Sequence, residues 1–297
     1  MHWGKALLAL GALFALSEAD QRGPDPTESA LERDGPFEIR TITLGDSETP
    51  GFGAATIYVP EDTSGGPFAG VSMSPGFTST QRTMAWFARR VASHGFVVIN
   101  TNTNSRTDFP RSRGTQTLAA LRFLASDSPV ANIVDGDRLG AMGYSMGGGG
   151  ALQAAASDGS IGAVVAIAPW NTIKDWSESE VPTFIFGIQG DTIAPVRSHS
   201  ETFFSTVGGA KAYAEMRGGT HTSVIRPNAA LSKYAVSWLK TFLEDDSRYT
   251  SFICEEIVDA ALSEFRAECS LDEISAGGKL HSGLAAVGAI IAAVLLA

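Results

Sequence analysis

Gly143-Tyr144-Ser145-Met146-Gly147 reads G-x-S-x-G. A serine hydroxyl is a weak nucleophile until a base takes its proton. The motif follows the apolar run LGAMGY and opens the small-residue segment GGGGALQAAAS. That is a strand, a sharp turn and a helix, the setting that presents a serine Oγ at the edge of a sheet. The helix start behind it favours negative charge developing on a reacting carbonyl. Acyl transfer through Ser145 is the chemistry these residues offer.

The base is found by elimination among five histidines. His2 and His281 lie in the chain ends, and His199 falls inside a predicted helix. His94 precedes the strand FVVIN, at the amino ends of the strands, whereas catalytic loops gather at the carboxyl ends. His221, in RGGTHTS, follows the strand AKAYAEMR and is left as the base. The acid belongs between serine and histidine in chain order. Asp191 follows the strand TFIFGIQG and is favoured over Asp175, which follows an earlier strand. Its task is to fix the imidazole tautomer and stabilise the imidazolium.

A tetrahedral intermediate also needs two backbone N–H donors. One is expected from Met146, after the nucleophile. The other is expected from Phe77 in the loop SPGFTST after the third strand. Phe77, Tyr144 and Trp170 crowd the same loops and are expected to line an apolar acyl or aromatic subsite. No cofactor fingerprint or metal-ligand spacing appears, so neither is expected.

These residues need a scaffold. FEIRTITL and ATIYVP read as two strands joined without a helix. From FAGVSMSPG onward, β-branched runs alternate with helical segments such as TQRTMAWFARRVASHG and AALSKYAVSWLKTFL. Such alternation predicts an α/β fold with a mostly parallel sheet and helices on both faces. No long insertion interrupts it, so no large cap domain is expected and the cleft is open. Residues 36–270 read as one catalytic domain, preceded by a loose, Pro-bearing leader at 20–35.

Of the 297 residues 44% are hydrophobic, and the excess sits at the ends. Residues 1–19 hold a basic start, an 11-residue apolar run and a small-x-small site at Ser17 and Ala19. That is the pattern of a signal peptide and implies export. Residues 271–282 form a polar linker, and 283–297 an apolar tail. The tail suits a GPI-attachment signal or a short membrane anchor. The net charge of −10 argues against a nucleic-acid partner. Cys254 and Cys269, the only cysteines, are 15 apart. A bridge and two buried free thiols both remain open. A monomer is expected.

The blocks SPGFTST, NTNSRTDFPRSR, GYSMGGGG, APW, DTIAPV and GGTHTS, taken in order, resemble the bacterial-type cutinases and poly(ethylene terephthalate) hydrolases. These are dienelactone-hydrolase-like members of the α/β-hydrolases, and the likeness covers about residues 36–270. It implies an α/β-hydrolase fold and a triad of Ser145, Asp191 and His221. It implies oxyanion donors at Phe77 and Met146, a subsite tryptophan at Trp170 and a Cys254–Cys269 disulfide. Three departures stand out. Tyr144 precedes the nucleophile where the family shows His or Trp, and Phe77 stands for the common Tyr. Ile188 and Ser223 occupy the places of a second disulfide found in one branch. The apolar tail is also foreign to the secreted members.

The reading is a secreted or surface-anchored serine esterase acting on polyesters such as cutin or aromatic polyesters. A lipase-like carboxylesterase or phospholipid acetylhydrolase, acting on a lipid ester, shares the same residues. An inactive adhesion protein is the non-enzymatic alternative, against which all three triad positions are filled.

Overall fold

The computed structural model describes residues 21–269. The segments 1–19, 271–282 and 283–297, to which export, linkage and attachment are assigned above, lie outside the described residues. The first half contains α1 (Glu28–Leu31), β1 (Ile39–Leu44), β2 (Ala55–Pro60), β3 (Phe68–Ser74), α2 (Ala85–Ser93), β4 (Val97–Thr101), α3 (Pro110–Ser126), β5 (Val134–Tyr144) and α4 (Met146–Ser157). The second contains β6 (Ala163–Ile167), β7 (Thr183–Ile188), α5 (Ser200–Thr206), β8 (Lys211–Met216), α6 (Ala229–Leu243) and β9 (Leu262–Glu268).

All nine strands form one sheet in the order β1-β2-β4-β3-β5-β6-β7-β8-β9. From β4 to β8 neighbouring strands are parallel. β1 and β2 form the antiparallel edge expected from their helix-free connection. β3, β4, β6 and β7 are buried at every position, because helices cover both faces of a parallel sheet. Along β6, Val165 and Ile167 join the core under α2 and α6, with Phe87, Tyr234 and Trp238. Val164 and Ala166 point the other way, into the core under α3, α4 and α5, with Leu121, Leu152 and Phe203. This is the α/β-hydrolase arrangement, and no cap domain interrupts it among the described residues.

Two elements differ from the sequence reading. β9 closes the far edge antiparallel to β8. Its sequence, LSEFRAE, is mostly polar and half-exposed, so it carries no apolar alternation to announce a strand. The leader is the second difference. Its described part, 21–35, is packed rather than loose. Leu31 is buried, and Arg22 reaches a buried cluster at the end of α6. There Arg22 Nη1 pairs with Glu244 at 2.9 Å, and Lys240 Nζ pairs with the same carboxylate at 2.6 Å. Arg22 also donates to the carbonyls of Gly65 and Pro67. The polar composition misleads because its polar atoms are spent on partners inside the fold.

His94 lies beneath this segment, buried, with its Nε2 on the Arg33 carbonyl at 3.1 Å. Cys254 and Cys269 form a disulfide with Cα atoms 5.6 Å apart, tying the segment after α6 to the end of β9.

Cross-linking a loop of this length restricts the unfolded chain by roughly 3 kcal/mol. Replacing both cysteines by alanine should lower the urea-unfolding free energy by about that amount. A second expectation concerns pH. Burial, reinforced by Lys240 and Arg90, pushes the His94 imidazole down to about 4, against the Arg33 carbonyl and Asp34. The folded-state value lies below the unfolded one. Stability from this group is therefore complete above about 6.5 and is lost as pH falls toward about 4. Urea midpoints measured across that window should fall, and His94→Asn should remove a part of the fall on the order of 3 kcal/mol.

Candidate active site

Ser145 sits between β5 and α4 with φ 56° and ψ −120°, a left-handed conformation rare for a residue with a side chain. The flanking glycines let the chain bend this sharply. A Cβ on Gly143 would lie 2.1 Å from the Gly147 carbonyl oxygen, and one on Gly147 would lie 2.2 Å from that of Ser74. Pairing then fixes the bend, since Ser145 N–H donates to Ile167 O at 2.9 Å and Trp170 N–H donates to Ser145 O at 2.9 Å.

The structure brings Ser145, His221 and Asp191 together from the ends of β5, β8 and β7. Ser145 Oγ lies 2.8 Å from His221 Nε2. His221 Nδ1 lies 2.6 Å from Asp191 Oδ2. Asp191 accepts only, so Nδ1–H donates to it and Nε2 is left to accept the serine proton. The other oxygen, Asp191 Oδ1, accepts from the N–H groups of Ile193 and Ala194, each at 2.8 Å. Burial raises the affinity of this carboxyl for a proton. The hydrogen bonds from His221, Ala194 and Ile193 outweigh burial and hold it below the ordinary carboxylate range. Asp191 thus stays ionised opposite the imidazole. Asp175 is exposed on the β6–β7 loop, with its Oδ1 on Ser177 N–H.

Met146 is the first residue of α4, so its N–H has no acceptor within the helix. Phe77 lies on the turn after β3, next to Gly76, whose Cβ position is 3.1 Å from Ser145 Cβ. That turn is held from below by Arg113, which ends the block NTNSRTDFPRSR but is not among the sequence's site candidates. Its fully buried guanidinium donates to the carbonyls of Pro75 at 2.9 Å, Asp108 at 2.7 Å and Arg106 at 3.1 Å. Burial lowers Arg113 only to about 10, so it remains charged at neutral pH. Thr78, at φ 55°, is pinned by donating its N–H to Arg106 O and by accepting from the Arg106 side chain.

Trp170 borders the site, stacked on His199 at a centroid distance of 6.1 Å and an interplanar angle of 28°. Phe109, at the start of α3, stands 6.3 Å from the same indole. Phe109 is not among the sequence candidates, and His199 enters there only as a histidine set aside as the base. His199 caps α5 rather than lying inside a longer helix. Burial, with Lys174 nearby, holds its imidazole below the ordinary histidine value.

Tyr144 differs most from its expected place. Only 4% of it is exposed, so it is packed under the site rather than lining it. Its hydroxyl donates to the His221 carbonyl at 2.9 Å, and its ring lies 5.1 Å from the imidazole. Gly76 also abuts the ring, where a Cβ would lie 3.2 Å from Cδ1 and Cε1. Burial and the charge of Asp191 keep the phenol protonated and therefore a donor. Tyr144 thus links the Phe77 turn to the His221 loop.

One carboxylate group elsewhere has metal-like proximity. Glu201, Glu215 and Glu264 have oxygens within 4.8 Å of one another. Arg266 pairs with Glu264 at 2.8 Å, and Tyr213 and Ser263 donate to Glu215, so protein groups already meet this charge.

A mostly parallel sheet with a serine on a strained strand-to-helix turn, hydrogen-bonded to a histidine–aspartate pair, defines the α/β-hydrolase class. The chain belongs to the PET hydrolase-like family, which matches over residues 15–270. A bis(hydroxyethyl) terephthalate hydrolase of Streptomyces coelicolor is 44% identical, over 89% of this chain and 88% of its own. Cutinase est1 of Thermobifida alba is 42% identical, over 84% of this chain and 86% of its own. Cutinase cut1 of Thermobifida fusca is also 42% identical, over 84% and 80%.

Removing the Tyr144 hydroxyl leaves the ring in place and frees the His221 carbonyl. Tyr144→Phe should lower kcat on a soluble ester by about 3–10-fold, the worth of one such hydrogen bond. Steady-state kinetics should show KM little changed. An effect confined to KM would place the tyrosine against substrate instead.

Proposed function

We propose that this protein is a carboxylic ester hydrolase that cleaves polyesters through Ser145, His221 and Asp191. The two in-line hydrogen bonds, Ser145 Oγ to His221 Nε2 and His221 Nδ1 to Asp191, carry this reading. His221 takes the proton as Ser145 Oγ attacks the ester carbonyl. The oxyanion is received by the N–H groups of Phe77 and Met146, with α4 behind them. Collapse expels the alcohol, protonated by His221, and leaves an acyl-enzyme. Water activated by the same histidine then releases the carboxylic acid. Asp191 keeps the imidazole in the required tautomer throughout.

The substrate assignment draws on the family and on the site. The relatives' names specify cutin and bis(hydroxyethyl) terephthalate. Phe77 and Trp170 offer apolar faces beside the serine, and the described residues contain no cap domain over it, so a long chain has room to lie across it. The N-terminal apolar segment is assigned to export. The C-terminal tail is assigned to attachment at the cell surface, as a lipid-attachment signal or a short anchor.

Ser145→Ala should lower hydrolysis of a short p-nitrophenyl ester by at least about 10⁴-fold while leaving thermal unfolding unchanged. The substrate is decided by product release from cutin, an aromatic polyester film and a triglyceride, measured side by side. Turnover of the polyesters is expected. Turnover of the triglyceride alone would assign the enzyme to lipid esters.

A further inference from the structure

The exposed large hydrophobic side chains among the described residues are Phe77, Phe109, Ile173, Ile193 and Val258. Four of them follow strands of the parallel sheet: Phe109 after β4, Phe77 after β3, Ile173 after β6 and Ile193 after β7. Ser145 ends β5, the strand between β3 and β6. All four lie on loops at the carboxyl end of the sheet around the serine, and Phe109 reaches across to pack on Trp170, after β6. Phe109 and Ile193 are each 60% exposed. Single exposed hydrophobics need no explanation, but four on the loops around one nucleophile do. Val258 lies apart, in the segment before the edge strand β9.

Those loops and the first turn of α3 carry Arg82, Arg106, Arg111, Lys174 and Arg197, in a chain whose net charge is −10. The acids nearest them in sequence are Asp108, Asp175 and Glu201, which groups with Glu215 and Glu264, besides Asp191, which is tied to His221. Glu178 and Glu180 come later on the β6–β7 loop, where Gly209 packs against Glu180 just before β8 begins, at the other end of the sheet. Arg111 and Arg197 are exposed and make no ion pair among the described residues. Each ester bond cut in a solid polymer leaves a carboxylate at its surface. A face that joins exposed apolar side chains to the cations Arg111 and Arg197, unpaired among the described residues, complements such a surface.

We infer that the loops after β3, β4, β6 and β7 form an adsorption face for solid polyester. The inference rests on the polyester reading above. Phe109, Ile173 and Ile193 press on the polymer while the arginines lie over its carboxylate ends. A chain segment is thereby laid across Ser145. A soluble diester has no need of this face.

Adsorption is separated from turnover by working with Ser145→Ala, on an amorphous aromatic polyester film in a quartz-crystal microbalance. Adding Phe109→Ser, Ile173→Ser and Ile193→Ser should weaken adsorption by at least about tenfold, given the apolar area removed. Thermal unfolding should stay unchanged. Arg111→Gln with Arg197→Gln should weaken adsorption only on film already carrying carboxylates, and the difference should vanish at about 0.5 M salt. Adsorption of the triple-serine protein equal to that of Ser145→Ala alone overturns the inference. A dimer converted to monomer by the same serines, in light scattering, overturns it in favour of a second copy. Tighter binding to phosphatidylcholine vesicles than to the film overturns it in favour of lipid. Failure of the polyester reading looks different: the active enzyme then adsorbs and leaves the film intact.

Discussion

The backbone bend at Ser145 is the constraint on which the rest of the molecule turns. At φ 56° and ψ −120° the serine is held where few residues with a side chain are found. Such a conformation persists only when its surroundings fix it. Here β6 fixes it from one side, through Ile167 O and Trp170 N–H. The carbonyl of Ser74 in β3 fixes it from another, lying so close to Gly147 that no Cβ fits. The parallel sheet and α4 can therefore be understood as the frame that keeps one hydroxyl pointing out of a turn the chain would not otherwise adopt. The same approach of α4 to β3 and β6 leaves the helix N-terminus facing the space above Ser145, where negative charge would develop.

Around that fixed point the loops are tied to one another and to α3. Tyr144 reaches the His221 loop through its hydroxyl and touches the Phe77 turn with its ring. Arg113 gathers Pro75, Arg106 and Asp108 about one buried cation. Asp191 is set by its own turn, through Ile193 and Ala194, before it meets His221. Each group that faces the serine is thus positioned by a neighbour carrying a charge or a strong donor. That rigidity suits a site with no cap among the described residues, since nothing above it holds the loops in place.

Much of this was legible in the sequence, for identifiable reasons. G-x-S-x-G between an apolar run and a small-residue run specifies strand, turn and helix, because only glycine tolerates those contacts. His221 and Asp191 were found from the order of elements, since a parallel sheet fixes which loops share an end. What sequence hid was of two kinds. β9 and the leader are polar segments whose order comes from partners distant in the chain, such as Arg22 with Glu244, 222 residues apart. Arg113, His199 and the buried setting of Tyr144 depend on which side chains meet across loops. No spacing rule encodes that. Tyr144 in particular looked like a wall of the cleft because of its place beside the nucleophile. A residue at the end of a buried strand is as readily turned inward as outward.

The Arg22–Glu244–Lys240 cluster limits how far the amino terminus can be trimmed. Trimming that passes Arg22 leaves Glu244 with one cation and uncovers the carbonyls of Gly65 and Pro67. A cut after Ala19 would leave only Asp20 and Gln21 ahead of the arginine, so a cut three residues further on would remove a group the fold is built around.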